Sequence, residues 1–423
     1  MTRSVPLVSR SISRRSRCHE RSSGTCIPTL AGSILLVLVT GCGSSQHPSN
    51  EPNGAGSGAS GSGGTASTSD GGTGGADRPP LHVVTACTGG QSGQLKVGQW
   101  EEVTPAQVLN LNSYSKSQAV LVDPNNPATV YVGWDGGGIY KSLDCGSTWI
   151  KINTGRNGEK LDPGRPWSMV IDPIESQTIY SVDGYGTNGL WKTTNGGVDW
   201  DMLFLPGTDV QKYVPDTFAS IVSMDPTNRM HLVVSFHIGC TGPYSSGCQA
   251  ESVDGGANWR LTTAPAGVEG AGPIVLNKTS WLTASPFGGL WLTTDNGATW
   301  RDVTPTGGGG GHYLPYRAKD GMMYLGTLQG VARSQDGTSW TLIPDSGGGL
   351  AGIVGTGKIM YASQQNGGLY YSASEDDPTK WAQIETPGMP KLDVGAYYFA
   401  YDPDHKIVYA SAQMSGLWRI VTE

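Results

Sequence analysis

The sequence is poor in charged residues, in histidine and in long apolar segments. Charged residues make up 15% of its 423 positions, and its seven histidines form no ligand cluster, so no metal centre is predicted. The apolar run at residues 30–39 is too short for a membrane-spanning helix. The glycine run at residues 307–311 does not lie between a strand and a helix, so it predicts a loop rather than a phosphate cradle. We therefore expect no cofactor.

Glycine, in contrast, is abundant, and one glycine-containing motif recurs along the chain. The 63 glycines, together with turn-forming residues and many short apolar runs, favour an all-β fold. The motif is Ser/Thr-x-Asp-x-Gly-x-Thr-Trp, and we call each copy a repeat hairpin. The copies, of which the fifth is shortened and the last degenerate, occupy residues 142–149, 193–200, 252–259, 293–300, 334–340 and 372–381.

The residue types of the repeat hairpin indicate a structural role. Ser142 and Asp144 carry short side chains that accept hydrogen bonds from nearby backbone N–H groups and stiffen a turn. Gly146 permits a positive φ, and Trp149 supplies a large apolar surface for packing between sheets. We therefore expect the Asp of each copy to hold a β-hairpin rather than to act in catalysis.

The spacing of the motif predicts a ring of repeated units. Motif tryptophans from 149 to 381 lie 51, 59, 41, 40 and 41 residues apart, and the first unit divides into strands at 118–122, 129–134, 138–142 and 148–152. Inner strands are expected to start near 118, 167, 218, 272, 312, 350 and 395. The seventh unit lacks a motif, and residues 99–104 resemble the strand that follows one. The sequence thus predicts a single seven-bladed β-propeller of four-stranded blades, closed by an N-terminal strand that removes exposed edges.

The amino end differs in composition from the rest of the chain. Six arginines precede the apolar run, so residues 1–41 are predicted to be a secretion signal. Residues 42–80 are rich in Gly, Ser and Thr and predict a disordered tether, which leaves residues 81–423 for the propeller. Val39-Thr40-Gly41-Cys42 resembles the lipobox of bacterial lipoproteins. That resemblance implies a lipid on Cys42 and an exported protein anchored to a membrane, in the outer membrane, at the cell surface or in the periplasm; an ordinary signal peptide is the alternative.

Charge and cysteine content constrain the exported part. Without the six Arg and one Glu of residues 1–41, the formal net charge of −7 becomes −12, which argues against nucleic acid as a partner. Four cysteines remain beyond Cys42, an even number that predicts two disulfides in an exported protein. Proximity pairs Cys240 with Cys248, and elimination pairs Cys87 with Cys145. We expect a monomer.

The repeat hairpin resembles the Asp-box, or bacterial neuraminidase repeat, over residues 96–423. This repeat occurs in β-propellers such as sialidases, xyloglucanases, sortilin-type receptors and a photosystem assembly factor. The resemblance implies that ligands meet the ring near its channel, on the loops that enter inner strands or connect second to third strands. Aromatic and polar residues in these loops suit sugar recognition, although they could also simply cap the surface. The candidate ligand-binding residues are Trp134, Arg165, Trp167, Tyr185, Tyr213, His312, Tyr313, Tyr316 and Arg317.

One loop resembles the xyloglucanase family more specifically. That family carries Asp-x-Gly-Gly-x-Tyr, and residues 135–140 match it, so Asp135 lies where the family's general base would. The family faces two propellers across a cleft and takes its acid from the second, whereas this sequence predicts one ring. Glycoside hydrolysis requires a second carboxylate. The sequence does not decide which residue supplies it, and the candidates are Asp162, Asp183, Asp216, Glu269 and Asp393. The Phe/Tyr-Arg-Ile-Pro motif of sialidases is absent.

Three functions follow from these observations. The sequence predicts a surface-anchored lipoprotein whose propeller binds a glycan or protein ligand on its channel face. The first alternative is a glycoside hydrolase resembling xyloglucanases, and the second is an assembly or receptor scaffold. The fold alone does not choose among them.

The lipid anchor can be tested by replacing its cysteine. Cys42→Ala is expected to move the protein from the membrane fraction to the soluble fraction, because the side chain that would carry the lipid is lost. Fractionation and the mass of the amino-terminal peptide measure this effect. Cys26→Ala, inside the predicted signal, is the matched control and should stay with the membrane. A Cys42→Ala protein that remains membrane-bound, beside a wild type without acyl mass, rules the anchor out.

Overall fold

The computed structural model shows seven four-stranded antiparallel sheets arranged as a β-propeller. It describes residues 82–87, 95–111, 116–268, 270, 272–285, 289–306, 315–364, 368, 370–385 and 396–423. The predicted fold class, blade number and four-stranded blades are confirmed. The signal peptide, the tether and Cys42 lie outside the described residues.

Blades 1 to 6 each use four consecutive strands, starting with the inner strand that lines the channel, and blade 7 takes its fourth strand from the amino end. Blade 1 contains β2 (Ser117–Val122), β3 (Val130–Trp134), β4 (Gly138–Ser142) and β5 (Ile150–Lys151). Blade 2 contains β6 (Arg165–Ile171), β7 (Ile179–Gly184), β8 (Gly189–Thr193) and β9 (Asp201–Met202). Blade 3 contains β10 (Ala219–Asp225), β11 (Asn228–Phe236), β12 (Cys248–Ser252) and β13 (Arg260–Thr263). Blade 4 contains β14 (Gly272–Asn277), β15 (Ser280–Ser285), β16 (Gly289–Thr293) and β17 (Arg301–Asp302). Blade 5 contains β18 (Tyr316–Arg317), β19 (Met323–Thr327), β20 (Gly330–Ser334) and β21 (Thr341–Leu342). Blade 6 contains β22 (Leu350–Gly355), β23 (Ile359–Gln364), β24 (Tyr370–Ser374) and β25 (Ala382–Ile384). Blade 7 contains β26 (Ala396–Asp402), β27 (Ile407–Ala412), β28 (Gly416–Val421) and β1 (Trp100–Glu102).

Helices are short and lie in the loops. The one α-helix is α1 (Asp209–Tyr213), and the 3₁₀ turns are Ala106–Val108, Gly158–Leu161, Pro215–Thr217 and Gly242–Tyr244, all within the described residues. Thr208 caps α1 by accepting a hydrogen bond from the backbone N–H of Gln211. None of the helices in the described ranges has the length and apolarity needed to traverse a bilayer.

The second strands are apolar on both faces because each sheet packs between two neighbours. All five residues of β3 are buried. Val132 packs with Tyr409 of blade 7, whereas the next residue along the strand, Tyr131, packs with Ile179 of blade 2. Strands buried on both faces have near-continuous apolar sequences instead of the alternation seen in half-exposed sheets. The hydrophobic core is therefore distributed as layers between successive blades.

The repeat hairpins have the hydrogen bonds expected of a rigid turn. In the first copy, the Ser142 hydroxyl donates to Asp144 Oδ1 at 2.7 Å, and the backbone N–H and hydroxyl of Thr148 donate to the two carboxylate oxygens at 2.8 and 2.7 Å. The Trp149 indole N–H donates to the Gly146 carbonyl at 3.0 Å. Hydrogen bonds from Thr299 lower the pKa of Asp295 in the fourth copy. The structural role predicted for these Asp residues is confirmed.

The N-terminal strand closes the ring as predicted. β1 pairs antiparallel with β28, with Trp100 opposite Ile420 and Glu102 opposite Trp418. Trp100 is buried in the core between blades 6 and 7. Arg419 Nη2 donates to Glu101 Oε2 at 2.9 Å, which adds a charged hydrogen bond across the same strand pair.

Both predicted disulfides are present. Cys87 is bonded to Cys145, and Cys240 to Cys248. The predicted start of the blade 5 inner strand, near residue 312, lies outside the described residues, and the described part of that strand is Tyr316–Arg317.

A buried charge network connects the strands of blade 3. His231 is fully buried, and its Nδ1 and Nε2 lie 3.2 Å from carboxylate oxygens of Asp225 and Glu251. Arg260 pairs with the second oxygen of Glu251. Burial by itself lowers the pKa of His231, but its hydrogen bonds to Glu251 and Asp225 outweigh burial and raise it. Against the effect of burial, hydrogen bonds from Thr227 and then His231 lower the pKa of Asp225, and those from His231 and Asn296 lower that of Glu251.

This network predicts a pH-dependent stability. A raised folded-state pKa means that the contribution of His231 is complete below its unfolded pKa and is lost as pH rises through the folded pKa. His231→Gln is expected to cost about 3 kcal/mol at about pH 6, because it leaves buried carboxylates without their cation. The difference in the free energy of unfolding between His231→Gln and the wild type should shrink toward alkaline pH. Urea unfolding across the pH range measures it, and His82→Gln, at a half-exposed histidine, is the control. A pH-independent difference contradicts the assignment.

Ring closure predicts the effect of trimming the amino end. A chain that begins at Ala106 should be less stable than one that begins at Lys96, because it lacks β1 and the buried Trp100, whose burial alone contributes about 3–5 kcal/mol. Both chains lack Cys87, so the disulfide does not contribute to the comparison. Thermal unfolding and limited proteolysis provide the measurement. Melting temperatures that agree to within about two degrees contradict closure by β1.

Candidate functional site

The loop between β3 and β4 holds Asp135 in a fixed position. The Asp135 backbone N–H donates to the Lys116 carbonyl at 3.1 Å, and that of Gly136 donates to the Gly164 carbonyl at 2.9 Å. Gly138 has a φ of +83°, and a Cβ there would lie 2.6 Å from Asp162 Oδ1, so only glycine fits. The loop is therefore tied to the chain entering blade 1 and to the chain entering blade 2.

Asp135 forms an ion pair with the first residue of the next blade. Arg165 Nε lies 3.1 Å from Asp135 Oδ2, and the two side chains are only 16% and 11% exposed. The Arg165 guanidinium also lies over the Tyr185 ring, 4.4 Å from its centre. Partial burial limits the screening of this ion pair by solvent.

Four aromatic rings surround this ion pair on the blade 2 and blade 3 side. Trp167 lies 5.2 Å from Tyr185 and 4.6 Å from His237, both in edge contacts, and Phe218 lies 5.0 Å from Tyr185. Tyr185 is 54% exposed, so it offers a ring face to solvent. Its φ of 60° is unusual for a bulky residue, and strained backbone of this kind clusters at functional sites.

His237 completes the aromatic group. Its Nε2 lies 3.1 Å from the Tyr185 hydroxyl, and its Nδ1 is buried with no hydrogen-bond partner among the described residues. Burial lowers the pKa of His237, so the ring is neutral at neutral pH. His237 and Phe218 were not among the ligand-binding residues predicted from the sequence, which indicated only that an inner strand starts near residue 218.

Asp183 is a second carboxyl group at the same place. It is fully buried at the end of β7, and neither oxygen has a hydrogen-bond partner among the described residues. Burial raises its pKa well above the usual range, and the negative charges of Asp135 and Asp162 raise it further. The backbone N–H groups of Gly184 and Arg165 face the carboxyl group without completing a hydrogen bond; they lower the pKa but do not offset burial. Burial therefore favours the protonated form of Asp183.

Asp183 is covered by glycine. A Cβ on Gly164 would lie 2.1 Å from Asp183 Oδ1, and a Cβ on Gly186 would lie 2.4 Å from the Gly164 Cα. The two loops can pack this closely over the carboxyl group only because neither residue has a side chain.

The other carboxylates proposed from sequence have different surroundings. Asp162 Oδ1 accepts from Lys151 Nζ at 2.6 Å and from Asn153 Nδ2 at 2.7 Å, so it is engaged in holding its loop. Asp216 is exposed, and it and Thr217 have φ values of 53° and 48°, in the loop that leads to Phe218. Glu269 and Asp393 lie outside the described residues.

The structure brings together only part of the predicted ligand-binding set. Asp135, Arg165, Trp167 and Tyr185 form one contiguous site. Trp134 is 1% exposed and belongs to the core between blades 7 and 1, so its ring is not open to a ligand in this structure.

The remaining predicted residues make contacts elsewhere. Tyr213 packs against Tyr244 at 5.5 Å, beside the Cys240–Cys248 loop. The Tyr316 hydroxyl donates to Glu375 Oε1 at 2.9 Å. His312 and Tyr313 lie outside the described residues.

The central channel is a separate, mainly apolar space. A cavity of about 360 Å³ is lined by inner strands of blades 1, 2, 5, 6 and 7, with an aromatic side formed by β26. Arg317 lies on this wall and donates to the Val275 carbonyl at 3.4 Å. The channel and the Asp135 site are thus built from different residues.

One group of side chains could hold a metal ion. One ligand atom from each of Cys87, Cys145, Asp402 and His405 lies within 4.8 Å of the others. The sequence predicted no metal centre because its histidines do not cluster, and this group has a single histidine. Its members come from three segments that are distant in sequence.

The fold and this site define a seven-bladed β-propeller with carboxyl and aromatic groups on its loop face. No family model matches the chain. It is similar to the xyloglucanase of Hypocrea jecorina (strain QM6a), 28% identical over 292 residues, which cover 58% of this chain and 34% of that protein. It is also similar to a xyloglucanase of Paenibacillus sp, 27% identical over 321 residues, covering 64% of this chain and 27% of that protein. The chain thus spans about a third of the length of these relatives.

Solved structures support the fold. YCF48 bound to D1 peptide superposes with a TM-score of 0.54 at 14% identity, covering 78% of this chain and 99% of that one. The GH74 xyloglucanase from Xanthomonas campestris superposes with a TM-score of 0.52 at 15% identity, covering 76% and 53%. At these identities the likeness concerns the fold alone.

Proposed function

We propose that the protein is a glycoside hydrolase acting on a polysaccharide, with xyloglucan the first substrate to test. The observation that carries this proposal is the meeting, beside Arg165 and an exposed aromatic ring, of the Asp135 carboxylate and the fully buried carboxyl group of Asp183. Enzymes that cleave glycosidic bonds use such a pair, one group as acid and the other as base or nucleophile.

The environments of the two carboxyl groups assign their roles. Asp135 is paired with Arg165 and acts as the base that removes a proton from the attacking water. Burial raises the pKa of Asp183 and favours its protonated form, and it acts as the acid. In the reaction, water oxygen bonds to the anomeric carbon, the glycosidic C–O bond breaks, and the leaving oxygen takes the proton of Asp183.

Proton transfer from Asp183 requires the glycine cover to open. Gly164 and Gly186 lie between this carboxyl group and the surface. Tyr185, with its strained backbone, is bracketed by Gly184 and Gly186, so a small dihedral change there both relieves strain and uncovers the acid. Substrate binding at the Tyr185 ring is proposed to drive this opening.

The aromatic group provides the sugar platform. Tyr185 has an exposed ring on which a sugar can stack, and Trp167 and His237 hold that ring from its edge. The Tyr185–His237 hydrogen bond further restricts the tyrosine to one orientation. A sugar bound there would lie next to the Asp135–Arg165 pair.

Similarity to known proteins supports hydrolysis more than simple binding. The curated relatives described above are named xyloglucanases. The Asp-x-Gly-Gly-x-Tyr match at residues 135–140 and the Asp-box pattern of the repeat hairpins agree with that relationship. The predicted signal and lipid at Cys42 would place the site outside the cytoplasm, where polysaccharides are encountered.

Ligand binding without turnover is the second candidate function. The complete burial of Asp183 favours it, because a covered acid cannot protonate a leaving group. In that case the same aromatic site would hold a glycan or a protein segment, and Asp135 would contribute one charged hydrogen bond.

Substitution of the carboxyl groups distinguishes these candidates. Asp135→Asn and Asp183→Asn are each expected to lower xyloglucan turnover by about 10²–10⁴-fold, as loss of a general base or acid does. Wild-type activity should fall as pH rises through the raised pKa of Asp183, because the acid then loses its proton. Reducing-sugar release, measured across pH on folded protein, provides the test.

Asp216→Asn is the matched control, since Asp216 is exposed on the same side and lies outside the proposed pair. Loss of activity in Asp216→Asn but not in Asp183→Asn would contradict the assignment of the acid. A wild type that binds xyloglucan or another β-glucan without cleaving it would exclude hydrolysis and leave binding as the function.

A further inference from the structure

Four side chains of different chemistry meet at the seam between blades 7 and 1. Cys87 precedes the closing strand, Cys145 belongs to the first repeat hairpin, Asp402 ends β26, and His405 lies in the turn after it. One ligand atom from each lies within 4.8 Å of the others. Two sulfurs, an imidazole and a carboxylate are a ligand set that tetrahedral zinc accepts.

The carboxylate of this seam cluster is already oriented. Asp402 Oδ1 accepts the backbone N–H groups of Asp404 and His405, both at 3.0 Å. Its other oxygen, Oδ2, faces the cluster, 2.6 Å from His405 Nδ1 and 4.0 Å from Cys145 Sγ. Backbone hydrogen bonds of this kind hold a metal ligand in place before the ion arrives.

The histidine and cysteines are also mostly shielded from solvent. The His405 side chain is 13% exposed, and its Nε2 has no hydrogen-bond partner among the described residues. Cys145 is fully buried, and Cys87 is half-buried. The half-buried sulfur gives a reductant access to the disulfide, whereas the buried partners exclude competing water.

We propose that reduction of the Cys87–Cys145 disulfide converts the seam cluster into a zinc-binding site. Zinc bonds to sulfur at about 2.3 Å and to imidazole nitrogen or carboxylate oxygen at about 2.0–2.2 Å. Ligand atoms of one tetrahedral ion therefore lie about 3–4 Å apart. The two sulfurs, about 2 Å apart in a disulfide, must separate by about 2 Å after reduction, whereas no separation in the group exceeds 4.8 Å. The ion replaces the hydrogen bond between His405 and Asp402.

The chemistry requires a reductant and releases protons. A phosphine and one water convert the disulfide into two thiols and a phosphine oxide; a dithiol would do the same and become a disulfide itself. Each thiol loses its proton as zinc binds, so two protons are released per ion. The oxidised cluster has no thiolate and therefore no zinc site. Cys87 is thus linked to the seam either through the disulfide or through the metal ion.

Cobalt(II) provides the spectroscopic probe, because its tetrahedral thiolate complexes absorb in the visible and near-ultraviolet. The full-length protein, reduced with a phosphine, is expected to bind one Co²⁺. The complex should show thiolate-to-metal charge-transfer bands and the d–d bands of tetrahedral Co²⁺, and added Zn²⁺ should displace the Co²⁺. The oxidised protein should show neither band. His405→Asn, which keeps both cysteines, is expected to weaken binding by about tenfold or more. Cys240→Ser/Cys248→Ser is the matched control and should bind like the wild type.

Three results would overturn the proposal. The reduced protein could show no tetrahedral bands. Cys87→Ser/Cys145→Ser could bind Co²⁺ as tightly as the wild type, which would place the ion at other thiols. Reduced wild type and reduced His405→Asn could bind Co²⁺ with equal affinity, which would show that the cysteines bind the ion without His405. Circular dichroism of each reduced sample establishes that the propeller is folded, and a wild type that unfolds on reduction also refutes a folded zinc site.

Discussion

The fold depends on closing a ring of sheets, since each blade buries both faces against its neighbours. Blades 7 and 1 can satisfy this requirement only if the chain's two ends meet. β1 provides the fourth strand of blade 7, and Arg419 connects this strand to blade 1 by donating to Glu101 and to the Cys145 carbonyl. On the channel side of the same seam, the Ser117 hydroxyl donates to the Gly416 carbonyl at 2.7 Å. Loss of the seam would expose apolar faces and a sheet edge together.

Solvation and nearby donors give the aspartates of this protein different properties. In the repeat hairpins, local N–H and O–H donors bind the carboxylates and favour their ionised form. Asp183 has the opposite environment, with full burial and no completed hydrogen bond among the described residues, so its pKa is raised. The same type of side chain thus braces a turn in one environment and favours its protonated form in the other.

The proposed site lies where the ring allows departures from regular structure. Tyr185, Asp216 and Thr217 all have positive φ in loops around blades 2 and 3, whereas the strands beneath are regular. Strain of this kind persists only on a rigid support, which the packed sheets supply. A stiff ring with strained loops can position an ion pair and aromatic rings and still permit a local opening over Asp183.

The sequence by itself determined the architecture, because the repeat hairpins depend on local hydrogen bonds and recur at intervals that count the blades. It also identified Asp135, Arg165, Trp167 and Tyr185 as candidate site residues, although the structure places Arg165 and Trp167 in β6 instead of the loop before it. It could not show that Asp183 is buried, that Trp134 belongs to the core, or that Cys87, Cys145, Asp402 and His405 meet at one seam. Burial and long-range proximity arise only when distant segments pack, so the raised pKa of Asp183 and the seam cluster were decided by the tertiary structure alone.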